Sequence, residues 1–591
     1  MTIIVQKFGG TSVATIEKIM SAARTAIHAQ EQGQQVVMVV SAMGKNTDTL
    51  TDLASEIMSD PPAREMDMLL STGEQVSVAL MAMAITSLGR KAISLTGAQI
   101  GIKTDNVYGK ARIISISTDR VEKLLVDGNI VIAAGFQGID DDFNITTLGR
   151  GGSDTTAVAL AAVLGAECEI FTDVDGVYSA DPRVVKQARW MSHTSYDEML
   201  ELASMGAGVM HSRSIEFAKK FSVPIHVRNS MSENPGTIIS NISEDPHRAV
   251  SGAAVTINEA LITLTGVPDK PGSTNAIFSS IAKANITVDM IVQDAGKDGR
   301  SNISFTVPSQ DAHATLELIQ DAVEQLQVER VAMRDDMSKI SVVGMGMAIQ
   351  SGVSNRMFRC LADKQINIHM ITTSQIKISA LVAREQADTA IHTVHNTFEL
   401  DQPSLPGVSA ESPLTTPVAD PAEAANRLRG MEELTITEIH LDENQASISI
   451  HGIPDTPGVA ASIFETIAKA DIVVDMIIQS YLDNSHVASL SLTINRTDLQ
   501  HTLEVVNSLI QQLDGQQEIV SNPAIAILSV TGIGMRSHTD VALRMFQALA
   551  DADINIEMMN TSEVKVNVVV DSEQAEESES ALVQAFADVQ R

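Results

Sequence analysis

Short apolar segments alternate with amphipathic helical segments through the first 250 residues of the chain. Runs of apolar residues predict buried strands, and a helical period between them predicts helices such as Asp67–Leu88 and Ser153–Leu164. After the opening run Ile3–Val5, the predicted strands are Val36–Ser41, Ala92–Leu95, Ile130–Ala134, Cys168–Thr172 and Ile225–Val227. This alternation is typical of a mainly parallel sheet with helices on both faces, so we predict an α/β domain of three αβα layers over residues 1–250.

The rest of the chain repeats itself. Residues Gly266–Asp294 align without a gap with Gly452–Ser480, with 17 identities in 29 positions, and Gly344–Val382 aligns likewise with Gly532–Val570. We therefore predict four small α+β units with the order βαββαβ, in two consecutive pairs, at residues 251–332, 333–398, 433–520 and 521–591. Residues 399–432 are predicted to form a flexible linker, because Gln402–Glu423 contains five prolines and no apolar periodicity.

Composition narrows the class of protein. The chain has 591 residues, of which 44% are hydrophobic, and its net charge is −33. This acidity argues against a nucleic acid or an anionic membrane as partner, since both require a basic face. The two cysteines, Cys168 and Cys360, lie in apolar contexts and are expected to be buried reduced thiols. We found no signal peptide, transit peptide or apolar run of 18 residues, which predicts a soluble cytoplasmic protein.

The stretch Val5–Val13 carries the first candidate chemistry. An apolar run leads to Lys7, then to Gly9 and Gly10, and a helical pattern follows. A strand, a glycine-rich turn and a helix N-terminus present backbone N–H groups to a phosphate, and a lysine at the strand end can reach phosphate oxygens. The lysine precedes the glycines, so this is not the Walker pattern, and a tight turn with a surface lysine is the alternative.

Four further polar clusters fall in the same domain. They are Ser41–Thr47, Ser71–Glu74, Leu148–Asp154 and Phe171–Arg183. Each cluster alone is compatible with helix caps, turns and surface charges. Together with the Lys7 stretch they indicate a ligand site at the carboxyl ends of the strands, where parallel sheets place their ligands.

The combination of Lys7-Phe-Gly-Gly-Thr-Ser, Gly149-Arg-Gly-Gly-Ser-Asp154 and the Thr172–Arg183 loop resembles the aspartate kinase family of the amino acid kinase superfamily. The resemblance extends over essentially the whole chain, because the four repeated units resemble the ACT domains of that family. It implies phosphorylation of the L-aspartate β-carboxylate by ATP with Mg²⁺, to 4-phospho-L-aspartate. It also implies a place at the first step of lysine, threonine and methionine biosynthesis, and a homodimer or larger homo-oligomer.

The resemblance also implies a role for each matching residue. Lys7 would bridge the phosphates, with Asp154 orienting it. Arg150 would pair with the α-carboxylate of aspartate, and Glu74 with its α-ammonium group. The remaining residues would line the substrate region (Ser41, Thr47 and Ser153) or hold ATP (Gly9, Gly10, Thr172, Asp173, Tyr178 and Arg183). No residue is implied as a dedicated metal ligand.

One departure from the family pattern concerns the stretch after the last catalytic strand. Some relatives place a lysine near the nucleotide where this chain reads Val227-Arg-Asn-Ser-Met231. We therefore expect no phosphate contact from Met231, and we carry a nucleotide role to Arg228 only as a hypothesis.

Two other functions compete with this interpretation. The first is another amino acid kinase, acting on glutamate, acetylglutamate or a nucleotide, and the contexts of Glu74 and Arg150 count against it. The second is an inactive amino acid sensor that kept the fold, which the presence of Lys7, Glu74, Arg150 and Asp154 opposes.

The repeated units are expected to bind L-lysine and L-threonine as feedback inhibitors. The candidate effector residues are Asp269, Asp289, Gln293, Asn367, Ser374, Asp455, Asp475, Gln479, Asn555 and Ser562. Each could instead be a helix cap or a strand-edge polar residue. We expect the sites to form where the two consecutive units of a pair meet. We also expect the two pairs to differ in preference, since His369 of one pair corresponds to Glu557 of the other.

Overall fold

The computed structural model describes residues 2–204, 209–284, 286–293, 299–350, 352–403, 432, 434–482, 487–511, 517–535 and 540–590. Most of the predicted linker lies outside the described residues. Both cysteines are free and buried, which confirms the expectation for their thiols.

The first domain contains twelve strands and eight helices among its described residues. Its strands are β1 Ile3–Phe8, β2 Gln35–Val40, β3 Ala92–Leu95, β4 Ile102–Thr104, β5 Ile113–Ile116, β6 Ile130–Ala134, β7 Gln137–Ile139, β8 Ile145–Thr147, β9 Glu167–Thr172, β10 His193–Ser195, β11 Ile225–Asn229 and β12 Thr237–Ser240. Its helices are α1 Ile16–Glu31, α2 Asn46–Ile57, α3 Ala63–Ser87, α4 Gly97–Ile100, α5 Asp119–Val126, α6 Gly152–Leu164, α7 Tyr196–Ser204 and α8 Ser212–Phe221.

Eight of these strands form the central sheet, in the order β10-β12-β11-β9-β1-β2-β6-β3. Neighbouring strands are parallel except β11 and β12. The central strands are buried on both faces, which explains their continuous apolar sequences. This confirms the predicted α/β class. Strand β1 lies between β2 and β9, so the Lys7 turn is flanked by the loops that follow both neighbours.

Helix α3 joins the central sheet to a four-stranded sheet of order β5-β4-β7-β8. Its buried Asp67 accepts hydrogen bonds from the backbone N–H groups of Gly109 (3.0 Å) and Thr147 (2.8 Å). By length and composition α3 is the one helix in the described ranges that could cross a membrane, and 44% of its apolar window is buried inside the protein. Because it also buries Asp67 and Glu74, it has the character of a core helix.

The repeat region forms one closed barrel of twelve strands. Its strands are β13 Gly252–Pro268, β14 Ile291–Gln293, β15 Arg300–Pro308, β16 Arg330–Val343, β17 Met370–Thr373, β18 Lys377–Ala383, β19 Thr435–Pro454, β20 Val474–Leu482, β21 Val487–Asn495, β22 Glu518–Ile533, β23 Met558–Thr561 and β24 Lys565–Asp571. Its helices are α9 Ser273–Lys283, α10 Ala312–Gln325, α11 Val353–Asp363, α12 Ala387–Thr397, α13 Val459–Lys469, α14 Leu499–Ile510, α15 Asp540–Asp551 and α16 Ala575–Phe586.

We number the four repeated units 1 to 4 in chain order. Consecutive units share their long strands. Residues 259–265 of β13 pair with 330–337 of β16, whereas 252–257 pair with 338–343. Unit 1 is therefore inserted between the first strand of unit 2 and the rest of that unit. Strands β19 and β22 repeat this arrangement for units 3 and 4. The exact limits of the units stay a prediction.

The free edge strand of each unit meets a unit of the other pair. Gln293 in β14 of unit 1 pairs with Met559 in β23 of unit 4, and Ile371 in β17 of unit 2 pairs with Gln479 in β20 of unit 3. A core containing five buried methionines, Met290, Met337, Met370, Met476 and Met558, fills the inside of the barrel. Methionine suits this position because its unbranched side chain adapts to irregular space where several sheets converge.

Candidate active site and effector sites

The Lys7 turn contains a tight ion pair. Lys7 Nζ lies 2.6 Å from Asp154 Oδ1, and both side chains are nearly buried. Asp154 stands in the first turn of α6, where the positive end of the helix dipole favours a carboxylate. The sheet thus brings together two residues that are 147 positions apart in sequence, and the carboxylate holds the ammonium group at the end of β1.

The turn after β1 packs against the loop after β2. The N–H of Gly9 donates to Phe171 O at 3.2 Å, and the N–H of Gly44 donates to Gly10 O at 3.0 Å. A Cβ on Gly10 would lie 2.8 Å from Ala42 O, so a larger residue would force these loops apart. Glycine is therefore required at position 10 for close backbone approach.

Glu74 enters the same region from α3. Its Oε1 accepts a hydrogen bond of 3.1 Å from the N–H of Ala42, while Oε2 is buried with no partner among the described residues. Burial raises the pKa of this carboxyl to about 7, although the backbone hydrogen bonds oppose the shift. The free oxygen is suited to a positively charged group of a ligand.

The segment Leu148–Gly152, which we call the acceptor loop, connects β8 to α6. Gly149 and Gly151 have φ of 75° and 71°, and a Cβ on Gly151 would lie 2.3 Å from the Cβ of His211. Glycine meets both requirements. Arg150 between them is exposed and forms no hydrogen bond or ion pair within the described part of the chain. Its guanidinium is free to bind an anion.

The other predicted substrate residues surround this loop. Ser153 is buried in the first turn of α6, and a Cβ on Gly135, just after β6, would lie 2.7 Å from its Oγ. Ser41 follows β2 and its N–H donates to Phe8 O at 3.1 Å. Thr47 lies half-buried in the first turn of α2, farther along the same loop.

Four of the predicted ATP residues lie at or after the end of β9. Thr172 Oγ1 contacts Asp173 Oδ1 at 3.2 Å, and Arg183 contacts Asp181 at 2.7 Å while staying largely exposed. Tyr178 forms an isolated bridge with Trp190, and burial raises the pKa of its hydroxyl.

Asp175 was not predicted, although it holds this loop by accepting from Asn229 (2.7 Å) and Ser232 (2.9 Å). Arg228, a hypothetical nucleotide residue, instead donates to Glu169 at 2.9 Å. Met231 is 65% exposed.

The effector residues meet across the two pairs and not within them. Units 1 and 4 meet at what we call the 1–4 interface, where Asn555 Nδ2 donates to Asp269 Oδ1 at 2.8 Å. Units 2 and 3 meet at the 2–3 interface, where Asn367 Nδ2 donates to Asp455 Oδ1 at 2.9 Å. We expected the sites to form between consecutive units, whereas these contacts place the candidate residues between units of different pairs; where the effectors bind stays a prediction. Consecutive units are joined through their long strands, so their free edges can pair only with units of the other pair.

Each interface contains a buried glutamine next to this contact. Gln293 Nε2 donates to Ile556 O at 2.7 Å, and Gln479 Nε2 donates to Ile368 O at 2.8 Å. Gln479 lines a cavity of about 20 Å³ with Asn367 and Asp455.

A second cavity at the 1–4 interface, of about 110 Å³, contains Asp289, Ser562 and Glu563. Asp289 forms an ion pair with Lys339 of unit 2. A second lysine of unit 2, Lys377, lies 2.6 Å from Glu201 of α7 in the kinase domain. Sequence reasoning missed these buried lysines.

Asp475 and Ser374 complete the predicted effector set. Burial raises the pKa of Asp475, although nearby Lys565 opposes the shift. The N–H of Ser374 donates to Lys377 O at 2.7 Å, as that of Ser562 does to Lys565 O at 2.8 Å. Both serines therefore occupy equivalent turns.

Comparison with known proteins agrees with this architecture. The model of the amino acid kinase family matches residues 2–229, and that of the ACT domain matches 262–323, 340–398, 447–509 and 528–586. The aspartokinase of Bacillus sp. (strain MGA3) is 47% identical over 402 residues, which are 68% of this chain and 98% of that protein.

Two solved structures extend the comparison. The crystal structure of aspartate kinase from Synechocystis is 38% identical, with a TM-score of 0.52, and the match covers 99% of this chain and 98% of that one. E. coli aspartokinase III is 25% identical and covers 67% of this chain and 99% of its own. It was solved with aspartate and ADP (TM-score 0.57) and with lysine and aspartate (TM-score 0.53).

Proposed function

The chain belongs to the aspartate kinase family, and we propose that it transfers the γ-phosphoryl group of ATP to the β-carboxylate of L-aspartate, under feedback control by L-lysine and L-threonine. The observation that carries this proposal is the Lys7–Asp154 ion pair of 2.6 Å, placed beside the Gly9-Gly10 turn and within a domain whose Glu74 and Arg150 each offer an unpaired group. E. coli aspartokinase III, crystallised with aspartate and ADP, supports the choice of substrates.

The chemistry requires positioning and charge stabilisation. The β-carboxylate of aspartate has an unperturbed pKa of about 4, so it is already ionised at neutral pH and needs no general base. The difficulty lies in bringing this anion against a polyphosphate. Lys7 stabilises the transferring phosphoryl group, and Asp154 keeps the ammonium in place so that little reorganisation accompanies the reaction.

Two groups select the amino acid. Arg150 clamps the α-carboxylate, since its planar guanidinium can form two parallel hydrogen bonds with a carboxylate. Glu74 receives the α-ammonium on Oε2, its free oxygen. A dicarboxylic acid without the amino group would leave this buried carboxyl unpaired, which costs binding.

The nucleotide is proposed to lie over the loop after β9, near Thr172, Asp173, Tyr178 and Arg183. Among the described residues no group of three His, Cys, Asp or Glu side chains could hold a metal ion. Mg²⁺ is therefore proposed to bind mainly to phosphate oxygens and water, and when bound it neutralises charge on the phosphates. The backbone of Gly9 and Gly10 and the Lys7 ammonium act beside it.

The two interfaces of the barrel are proposed to bind the inhibitors. The 1–4 interface carries Glu557 beside the Asp269–Asn555 contact, so it is proposed to prefer the cationic side chain of lysine. The 2–3 interface carries His369 and Arg334 beside Asp455, so it is proposed to prefer the neutral side chain of threonine. The chain is proposed to act as a homodimer or larger homo-oligomer.

Kinetics of the Arg150→Ala and Lys7→Ala variants with aspartate and with glutamate test the reaction. Arg150→Ala should raise the aspartate KM by about 100-fold with little change in the ATP KM, because only aspartate carries the clamped carboxylate. Lys7→Ala should lower kcat by about 1,000-fold while ATP still binds. Turnover of glutamate in preference to aspartate, or equal effects of Arg150→Ala on both substrates, would contradict the proposal. The exposed Arg24→Ala serves as the matched control.

A further inference from the structure

Arg213, in the first turn of α8, holds the main chain beneath the acceptor loop. Its Nη1 donates to Leu148 O at 2.5 Å, and its Nη2 donates to Ala111 O at 2.6 Å. The side chain is 14% exposed. Leu148 is two residues before Arg150, so the arginine contacts the backbone from which the proposed carboxylate clamp extends.

These hydrogen bonds fasten two crossing segments to each other. The N–H of Ala111 donates to Thr147 O at 2.9 Å, and a Cβ on Gly149 would lie 2.9 Å from Gly109 O. The N–H of Leu148 donates to Phe136 O at 2.8 Å. Arg213 thus completes a rigid base for the loop, and a planar guanidinium is suited to two carbonyl groups in fixed positions.

The charge of Arg213 is neutralised from outside the kinase domain. Its Nη2 pairs with the carboxylate of Glu432, whose side chain is only 8% exposed. Burial raises the pKa of Glu432, although Arg213 and the N–H of Ile113 oppose the shift. Removing one partner of a buried ion pair leaves the other charge uncompensated, so the position of Glu432 matters to Arg213.

Glu432 stands directly before the second pair of units. Strand β19 begins at Thr435, and a Cβ on Gly532 of β22 would lie 2.7 Å from Thr435 O. Met535, just after β22, lines the cavity of about 110 Å³ at the 1–4 interface. Val564 of unit 4 packs against the kinase core. The chain segment that follows Glu432 and the segment that leads to this cavity therefore pack against each other where β19 begins.

We propose that Arg213 is a positioning residue for the acceptor loop and that Glu432 makes its position depend on the second pair of units. An effector that displaces the start of β19 withdraws or reorients Glu432, and Arg213 then no longer holds Leu148 in place. This inference rests on the proposed binding of aspartate by Arg150.

Kinetics of Arg213 variants test the positioning role. Arg213→Ala should raise the aspartate KM by about 10–100-fold and leave the ATP KM within about twofold, because displacing a binding group by 1 Å has effects of this size. Arg213→Lys should recover part of the loss, since it keeps the charge but not the paired hydrogen bonds. If Arg213→Ala does not fold, the lysine variant alone carries the test. An unchanged aspartate KM in a folded variant overturns the role.

A double-mutant cycle tests the link to Glu432. Glu432→Gln should raise the aspartate KM by at least about threefold and reduce inhibition by lysine, whereas the exposed Glu443→Gln should change neither. In the double variant, the rise in the aspartate KM should be smaller than the product of the rises caused by Glu432→Gln and Arg213→Lys alone. Independent effects, or unaltered inhibition in Glu432→Gln, overturn the link. Arg150→Ala distinguishes failure of the proposed function from failure of this inference. If Arg150→Ala leaves the aspartate KM unchanged, the proposed function fails. If only the Arg213 and Glu432 variants lack their expected effects, this inference alone is refuted.

Discussion

The 1–4 and 2–3 interfaces of the barrel are built on the same hydrogen-bonded frame, but different side chains surround it. In the 1–4 interface, Thr274 donates to Gln293 Oε1 at 2.9 Å and Gln293 Nε2 donates to Ile556 O, so both polar ends of this amide have a partner. Ala460 occupies the position of Thr274 in the 2–3 interface, and Gln479 Oε1 is buried with no partner among the described residues. The carbonyl of one glutamine thus has a partner within the protein, and that of the other is a buried acceptor that a ligand ammonium could pair with.

The charged groups around the two frames also differ. Asn522 donates to Glu557 at 3.4 Å at the 1–4 interface, whereas Arg334 contacts His369 at 3.3 Å at the 2–3 interface. Burial raises the pKa of Glu557 to about 6, and burial together with Arg334 lowers that of His369. The two interfaces thus share the Asn–Asp contact and the buried glutamine, while the charged groups around them differ.

The largest expected effect comes from removing either buried glutamine. Gln293→Ala should weaken inhibition by lysine by about 10–100-fold, and Gln479→Ala should do the same for threonine, since each glutamine bridges the two units of its interface and leaving a buried hydrogen-bonding group unpaired costs about 1–3 kcal/mol. Inhibition by the other amino acid should stay within about threefold. Inhibition curves for both ligands on both variants check this. Loss of both responses from one substitution would show that the interfaces are not independent.

Exchanging the side chain that we propose selects the ligand should change the preference between lysine and threonine by a smaller factor than removing a glutamine. His369→Glu gives the 2–3 interface the carboxylate of the 1–4 interface, and threonine binding should weaken while lysine binding strengthens, each by about tenfold. His369→Gln, which adds no charge, is the matched control. Comparable changes in both variants would mean that charge does not select the ligand.

Measuring ligand affinity between pH 5 and pH 7 should distinguish the two interfaces, because the affinity of one of them should change by up to about tenfold. The pKa of Glu557 is about 6 and only its ionised form attracts the ligand ammonium, so lysine affinity should rise from pH 5 to pH 7. Burial and Arg334 lower the pKa of His369, so less of its imidazole becomes charged in this range and threonine affinity should change less with pH. Glu557→Gln should abolish the pH dependence for lysine, and its persistence in that variant would assign it to another group.

The smallest effect is expected from Ala460→Thr. The added hydroxyl should donate to Gln479 Oε1 as Thr274 does to Gln293, and the unliganded protein should become more stable by about 1 kcal/mol. Threonine binding should weaken by about threefold to tenfold, because the ligand then competes with this hydrogen bond. Thermal unfolding and inhibition curves measure the two effects, and Ala460→Val controls for the added volume. Tighter threonine binding would exclude this role for Gln479 Oε1.

The kinase sheet could be predicted because its buried parallel strands are continuous apolar runs. The predicted strand Val36–Ser41 is Gln35–Val40 in the structure, and Ala92–Leu95 and Ile130–Ala134 are found as predicted. The short strand Thr237–Ser240, which lies between β10 and β11, was not predicted, since its four residues alternate between buried and half-buried and lack such a run.

The pairing of the four units could not be predicted. Internal identity shows which segments are alike, but it does not show which sheet edges meet. Buried charges outside motifs were missed for a related reason. Arg213 contacts Leu148 and Ala111, which are 65 and 102 residues away, and in its own amphipathic helix it resembles an exposed arginine. The Lys7 and Arg150 motifs were visible because closely spaced glycines mark them.

Calorimetric titration of the full chain with L-lysine and L-threonine, each alone and then each in the presence of the other, tests the central claim most directly. If the interfaces are distinct sites, each ligand should produce its own saturating heat, and the second should still bind after the first has saturated. Gln293→Ala should then lose the lysine heat alone, and Gln479→Ala the threonine heat alone. A single ligand that saturates every site, or one substitution that removes both heats, would contradict the account.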